Sequence, residues 1–121
     1  MEVQPLRLTP RWADVGLLVV EAEGVFNATT APLLCGPLVR LLRVGHRRFV
    51  VDAERVTHFN TVGIQLLAAT RQKIRAEGGT LALVAGSDAR SAFETADLGR
   101  PTFLYTTVVE AARACETSHQ D

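Results

Sequence analysis

Asn60-Thr61-Val62-Gly63 is the segment of this chain whose residue types and placement could do chemistry. It follows an apolar run, Phe49 to Asp52, which leads on through Ala53–Phe59. After it, Ile64, Leu67, Ala68 and Ile74 fall at i, i+3, i+4 and i+10, which lines one helix face. A strand therefore hands over to a helix at Asn60 and Thr61. The start of a helix presents backbone N–H groups without intrahelical acceptors and the positive end of the helix dipole. A hydroxyl held there, as on Thr61, can accept a phosphate that the helix end then stabilises. The plainer alternative is that Asn60 caps the helix and Thr61 is an ordinary first-turn residue.

Elsewhere the chemistry-bearing residues do not converge. The glycines match neither G-x-G-x-x-G nor G-x-x-x-x-G-K, and no G-x-S-x-G elbow presents a serine nucleophile. Cys35 and Cys115 lie far apart with no C-x-x-C pair and read as small buried hydrophobes. His46, His58 and His119 lack the spacing of metal ligands, so no metal and no cofactor are expected. Asp52, Glu54, Asp88, Glu94 and Asp97 form no obvious acid/base pair, and Asp52 is expected to be satisfied by nearby backbone N–H groups or Arg55. Arg43, Arg47 and Arg48 read as a solvated helix-to-strand turn, and Arg71, Lys73 and Arg75 as a polar helix face. No independent enzymatic activity is expected.

The elements that must position the turn follow from the same patterns. Leu17 to Ala22 is a strand bounded by Gly16 and Gly24, an extended segment around Leu6 to Leu8 pairs with it, and Pro10 to Asp14 forms the turn between them. Asn27 or Thr29 caps a first helix with Pro32 in its first turn. Leu34, Leu38, Leu41 and Leu42 form its stripe, Gly36-Pro37 is a place for a kink, and Gly45 ends it. Phe49 to Asp52 is a buried strand, and the helix after Gly63 stops at Gly78-Gly79. Thr80 to Ala85 is a central strand. Ser87 or Asp88 caps a third helix with Ala89, Ala92, Phe93 and Ala96 inward. A brief extended piece, Thr102–Tyr105, precedes a last helix with Val108, Ala111, Ala112 and Cys115 on one face. The order β-β-α-β-α-β-α-β-α predicts an α/β fold, with a mixed, mostly parallel sheet, an antiparallel start and about four helices.

The chain of 121 residues is expected to form one domain over 1–121, with 116–121 as a frayed tail. Thirteen basic residues balance thirteen acidic ones, so no bulk field points to direct nucleic-acid binding or to anionic lipid. No apolar run approaches the ~20 residues needed to cross a bilayer, and the N-terminus lacks the pattern of a signal peptide. Cytoplasmic localisation without membrane insertion is the expectation.

Taken together, G-V-F-N-A-T-T-A-P-L-L, F-V-V-D-A-E-R-V-T-H-F, N-T-V-G, G-G-T-L-A-L-V and the closing T-T-V-V-E-A-A resemble the STAS domain, the fold of bacterial anti-sigma factor antagonists. The resemblance covers nearly the whole chain. In that family the loop usually reads Asp-Ser-Ser/Thr-Gly, and its first hydroxyl is phosphorylated by a kinase that doubles as the anti-sigma factor. Aligned on Gly63, the resemblance implies Thr61 as the acceptor, with Asn60 in place of the acid and Val62 in place of the second hydroxyl. A second signature, usually Gly-Glu-hydrophobic-Asp, reads Gly24-Val25-Phe26-Asn27 here, so Asn27 also replaces an acid.

The resemblance implies an anti-sigma antagonist-like protein that binds an anti-sigma factor or serine/threonine kinase-like ATPase and is switched at Thr61. Asn27, Phe59, Asn60, Thr61, Val62 and Gly63 would form its partner surface, with Val62 and the end of Phe59 in a small exposed apolar patch. The alternative is a non-phosphorylated STAS adaptor subunit of a larger signalling or transport-associated complex. A third possibility, a small nucleotide-binding or hydrolytic enzyme, needs a pocket with converging polar groups.

Overall fold

The computed structural model describes residues 6–14, 16–95 and 104–118. Five strands, β1 (Leu6–Asp14), β2 (Leu17–Phe26), β3 (Arg48–Phe59), β4 (Thr80–Val84) and β5 (Leu104–Tyr105), form one sheet in the order β1-β2-β3-β4-β5. β1 runs antiparallel to β2, and all later neighbours are parallel. Four helices, α1 (Ala31–Arg43), α2 (Thr61–Ala76), α3 (Ser87–Thr95) and α4 (Val108–Ser118), connect and cover the strands. This is the mixed α/β fold that the alternation of patterns predicts.

The central strands read as continuous apolar runs because both of their faces are buried, as parallel sheets require. Leu18, Val20 and Ala22 of β2, Phe49, Val51 and Ala53 of β3, and Leu81 and Leu83 of β4 join the larger core. That core also takes Leu34, Leu38 and Leu42 of α1, Ile64, Leu67 and Ile74 of α2, and Phe93 of α3. The alternate residues, Leu17, Val19, Val50, Ala82 and Val84, turn to the opposite face and meet Ala111 and Cys115 of α4. Each of these fully buried aliphatic side chains contributes about 1.5–3 kcal/mol relative to an exposed one.

Several boundaries differ from the sequence expectation. Pro10–Asp14 is not a turn but the second half of β1, paired through Pro10–Val20 and Trp12–Leu18. The turn lies beyond it, where Gly16 adopts φ 76°. A proline is tolerated there because β1 is an edge strand. β2 continues past Gly24 to Phe26, and β3 past Asp52 to Phe59, with register shifts between them at Glu21/Glu23 and Gly24/Val25. Polar residues in these extensions hid them, since the sheet is exposed on one face beyond α4. Asp52 accepts from the Glu54 N–H at 3.2 Å, so its backbone partner is local, but the strand does not end there.

Pro37 sits inside α1 without ending it, and the helix is continuous over Ala31–Arg43. Arg71 is half-buried rather than on a solvated face, and burial, reinforced by Arg75, lowers its guanidinium pKa. α4 extends through Ser118. Ala96, residues 99–103 and residues 119–121 lie outside the described residues, as do the side chains of Ser87 and Asp88.

Candidate functional site

β2 and β3 are parallel neighbours, so their C-terminal ends emerge side by side, with Phe26 opposite Phe59. The two asparagines that follow them, Asn27 and Asn60, are thereby brought to one end of the sheet. The Asn60 N–H donates to the Phe26 carbonyl at 2.9 Å, which ties the second turn to the first. Gly63 completes the junction. A Cβ on it would lie 3.1 Å from the Asn27 Cα, carbonyl carbon and carbonyl oxygen, so any side chain there asks Asn27 to give way by a few tenths of an ångström.

Both asparagines work as hydrogen-bond acceptors for backbone N–H groups. Asn60, extended at φ −80° and ψ 144°, is the N-cap of α2, and its Oδ1 accepts from the Val62 N–H at 2.8 Å. Asn27 Oδ1 accepts from the Thr29 and Thr30 N–H groups, both at 2.9 Å. Asn27 therefore caps the turn before α1, while Thr30 occupies the cap position of the helix itself without a side-chain cap bond. Thr30 is fully buried, and its hydroxyl accepts from the Asn27 N–H and donates to the Val25 carbonyl, both at 2.8 Å. The sequence considered Thr29 for this neighbourhood. The signal for Thr30 was its place one residue before Ala31-Pro32, where a polar residue closes the chain onto a helix start.

Thr61 is the first residue of α2 and is half-buried. Among the described residues its hydroxyl has no hydrogen-bond partner. Val62 is 53% exposed, and Leu66, one turn further on, is also exposed. Leu33, in the first turn of α1 at the same end of the sheet, is exposed as well. Phe59 points the other way: it is half-buried, packs against the large core, and its ring lies 6.2 Å from that of Phe26. The apolar surface beside the turn is thus made by Val62, Leu66 and Leu33. The sequence singled out Val62 alone of these; the i, i+4 spacing of Val62 and Leu66, off the Ile64–Leu67 stripe, was the available signal.

No ionisable side chain belongs to Asn27–Thr30 or to Asn60–Gly63, so the fixed electrostatic feature of the site is the α2 dipole. Asn60 has already engaged the Val62 N–H, which leaves the Thr61 and Gly63 N–H groups at the helix start. Beneath the two helices Cys35 is buried, and burial pushes its thiol pKa up against the opposing effect of a hydrogen bond with Thr70. Such a thiol is inert packing between helices. Cys115 is buried under α4. Among the described residues no group of histidine, cysteine and carboxylate side chains could hold a metal ion, and no helix is long and apolar enough to cross a membrane.

Residues 13–106 match the family model described as Mlab, STAS domain, and the chain belongs to the STAS domain family. No curated protein sequence matches it. Among solved structures it is similar to an anti-sigma factor antagonist from Mycobacterium paratuberculosis, at 28% identity and a TM-score of 0.77 over 92% of this chain and 94% of that one. A putative anti-sigma factor antagonist from Thermotoga maritima superposes with a TM-score of 0.78 at 17% identity, covering 90% of this chain and 94% of that one. The Bacillus cell fate determinant SpoIIAA, in its phosphorylated form, superposes with a TM-score of 0.69 at 15% identity over 88% of this chain and 97% of that one. The last two similarities concern the fold.

Proposed function

We propose that this chain is an anti-sigma antagonist-like regulatory module that binds a kinase-type anti-sigma factor and is switched by phosphorylation of Thr61. The observation that carries this reading is the placement of Thr61: first residue of α2, with a hydroxyl that has no hydrogen-bond partner among the described residues, beside exposed Val62. A STAS relative that exists in a phosphorylated form supports it.

The physical consequence is local. Phosphate on Thr61 adds about −1.5 to −2 charges where the turn has none. The start of α2 would stabilise that charge by about 0.3–1 kcal/mol, so the fold need not change. A partner seated over Val62, Leu66 and Leu33 would meet a strongly hydrated anion in place of a hydroxyl, and the complex would weaken. The side-chain oxygens of Asn27 and Asn60 accept from backbone N–H groups as aspartate oxygens would, without their charge. The unmodified surface is therefore less negative than the family's usual one, which favours a partner less dependent on cationic contacts. The module acts, in this reading, as one domain over 1–121, in the cytoplasm, through protein contacts alone and without enzymatic activity, nucleic-acid binding or membrane insertion.

Incubation with kinase-type anti-sigma factors and ATP, followed by intact mass, tests the proposal against a Thr61→Ala control. One phosphate that disappears in Thr61→Ala is the expected result. A stable complex without phosphate would instead assign the chain to the unmodified adaptor class, which the two neutral asparagines favour.

A further inference from the structure

The opposite end of the molecule carries a second exposed surface that the partner-switching reading does not use. Residues 24 to 51 contain no Asp or Glu, yet include Arg40, Arg43, Arg47 and Arg48. The carboxylates that flank this stretch, Glu21, Glu23, Asp52 and Glu54, lie on the uncovered sheet face beside Arg7 and Arg55, where Glu23 pairs with Arg7 at 3.9 Å and Glu21 with Arg11 at 3.6 Å. Arg40 and Arg43 are exposed in the last turn of α1, and neither has a carboxylate within 4 Å among the described residues. Glu77, at the end of α2, makes no ion pair there either.

Two apolar side chains sit among these cations. Trp12 is 54% exposed and Val44 is 73% exposed, the largest value among the big hydrophobic residues described. Trp12 packs beside the His46 ring, with centroids 5.0 Å apart and planes tilted by 41°. Arg47 donates to the Leu42 and His46 carbonyls at 2.8 and 3.1 Å, which ties the turn under Val44 to the helix end and satisfies carbonyls that would repel an anion.

We propose that Trp12, Val44, His46, Arg40 and Arg43, held by the turn that Arg47 ties beneath them, form a docking surface for an acidic, partly apolar segment of a partner protein. An exposed tryptophan with neighbouring arginines is the composition that carries binding energy at protein interfaces. Arginine's planar fork matches carboxylates two bonds at a time. A membrane surface fits less well. Lipid-binding clusters present several mobile cations, whereas here Arg47 is already committed to backbone carbonyls and the apolar component is two side chains. The surface lies about 20 Å from Thr61, the length of α1. The chain could therefore hold this partner and a kinase together, and the inference stands whether or not Thr61 is modified.

The chain's single tryptophan is in the patch, so its emission reports directly on binding. The full chain is titrated with a synthetic peptide of glutamates interspersed with leucines, with its glutamine counterpart, and with phosphatidylglycerol vesicles, at about 50 mM salt. A blue shift with the acidic peptide alone is expected. Arg43→Glu, at an exposed position without a carboxylate partner among the described residues, should weaken binding at least about tenfold while the circular dichroism spectrum stays unchanged. No response to the acidic peptide, an equal response to its glutamine counterpart, or an undiminished response in Arg43→Glu each overturns the proposal. A shift with vesicles only also overturns it, and assigns the surface to lipid.

Discussion

The two ends of the parallel sheet are each closed by a glycine pressed against a neighbouring backbone, but they are held in different ways. At one end Gly63 approaches Asn27, and the turns are tied by asparagine side chains. At the other, a Cβ on Gly79 would lie 2.6 Å from the Arg47 carbonyl oxygen and 2.9 Å from Ile74 Cγ2. There the ties are made by the main chain, through Thr80 N–H to the Arg47 carbonyl at 2.7 Å and Gly79 N–H to the Ile74 carbonyl at 2.9 Å, and by the Arg47 guanidinium on the Leu42 and His46 carbonyls. Where short neutral side chains do the tying, what remains for a partner is a hydroxyl, a helix start and a few aliphatic groups. Where the backbone and one long cationic side chain do it, Arg40, Arg43 and an aromatic ring are left facing outward. One fold thereby offers two surfaces of opposite chemistry.

The largest expected effect separates the two glycines. Gly79→Ala must displace a backbone carbonyl, and urea denaturation should show a loss of about 2–3 kcal/mol. Gly63→Ala asks Asn27 to give by only a few tenths of an ångström and gains about 0.5–1 kcal/mol from replacing glycine inside a helix. Its loss should stay under about 1 kcal/mol. Equal losses would break the comparison, because both ends would then be equally rigid.

Next come the asparagines. Asn27→Ala leaves the Thr29 and Thr30 N–H groups without their acceptor and should cost about 1–2 kcal/mol, against about 1 kcal/mol for Asn60→Ala, which releases only Val62. Asn60→Asp sharpens the point, because it keeps the acceptor and adds a charge at a helix start. It should stabilise by about 0.3–1 kcal/mol at neutral pH. Helix-start contact lowers the new carboxyl's folded pKa below its unfolded value. The gain is therefore present above the unfolded pKa and is lost as pH falls through the folded one. A gain that is independent of pH would show that charge plays no part at this turn.

The smallest effect comes from between the two ends. Cys35 is held as a neutral thiol, its pKa raised first of all by burial. Its contribution to stability is complete below the ordinary thiol range and declines as pH rises through and above it, since the unfolded chain ionises first. Denaturation midpoints should fall at alkaline pH, and less so in Cys35→Ala compared with its own neutral-pH value. The native thiol should resist alkylation until the protein unfolds.

The positions of the helices and central strands were legible because each buries a face with a simple period. Ile64, Leu67 and Ile74 repeat along a helix, and Val50, Val51, Leu81 and Leu83 are apolar throughout because helices cover both sides of the sheet. The ends of β2 and β3 were not legible. Beyond Val19 and Val50 the residues turned away from the core are Glu21, Glu23, Asp52 and Glu54, which look like loop in a linear reading. Only the pairing with a neighbouring strand makes them sheet. Trp12 was assigned to a turn for the related reason that Pro10 and Asp14 flank it, although an edge strand accommodates proline.

At the candidate site the sequence by itself determined the helix start, the Asn60 cap and the hydroxyl at Thr61, because capping is a local matter of residue type within one turn. It also determined membership of the STAS fold through the order and spacing of elements. The tertiary structure alone decided that Asn27 lies against Gly63, that Thr30 is fully buried beside Val25 and Asn27, and that Phe59 packs inward while Leu33 and Leu66 face out. It likewise set Trp12 on His46 among the arginines, 34 residues apart in the chain. The physical reason is the same in each case. These contacts depend on the register of neighbouring strands, antiparallel for β1 and parallel for the rest, and on the packing of α1 and α2 against them, and such long-range geometry leaves no period in the local sequence.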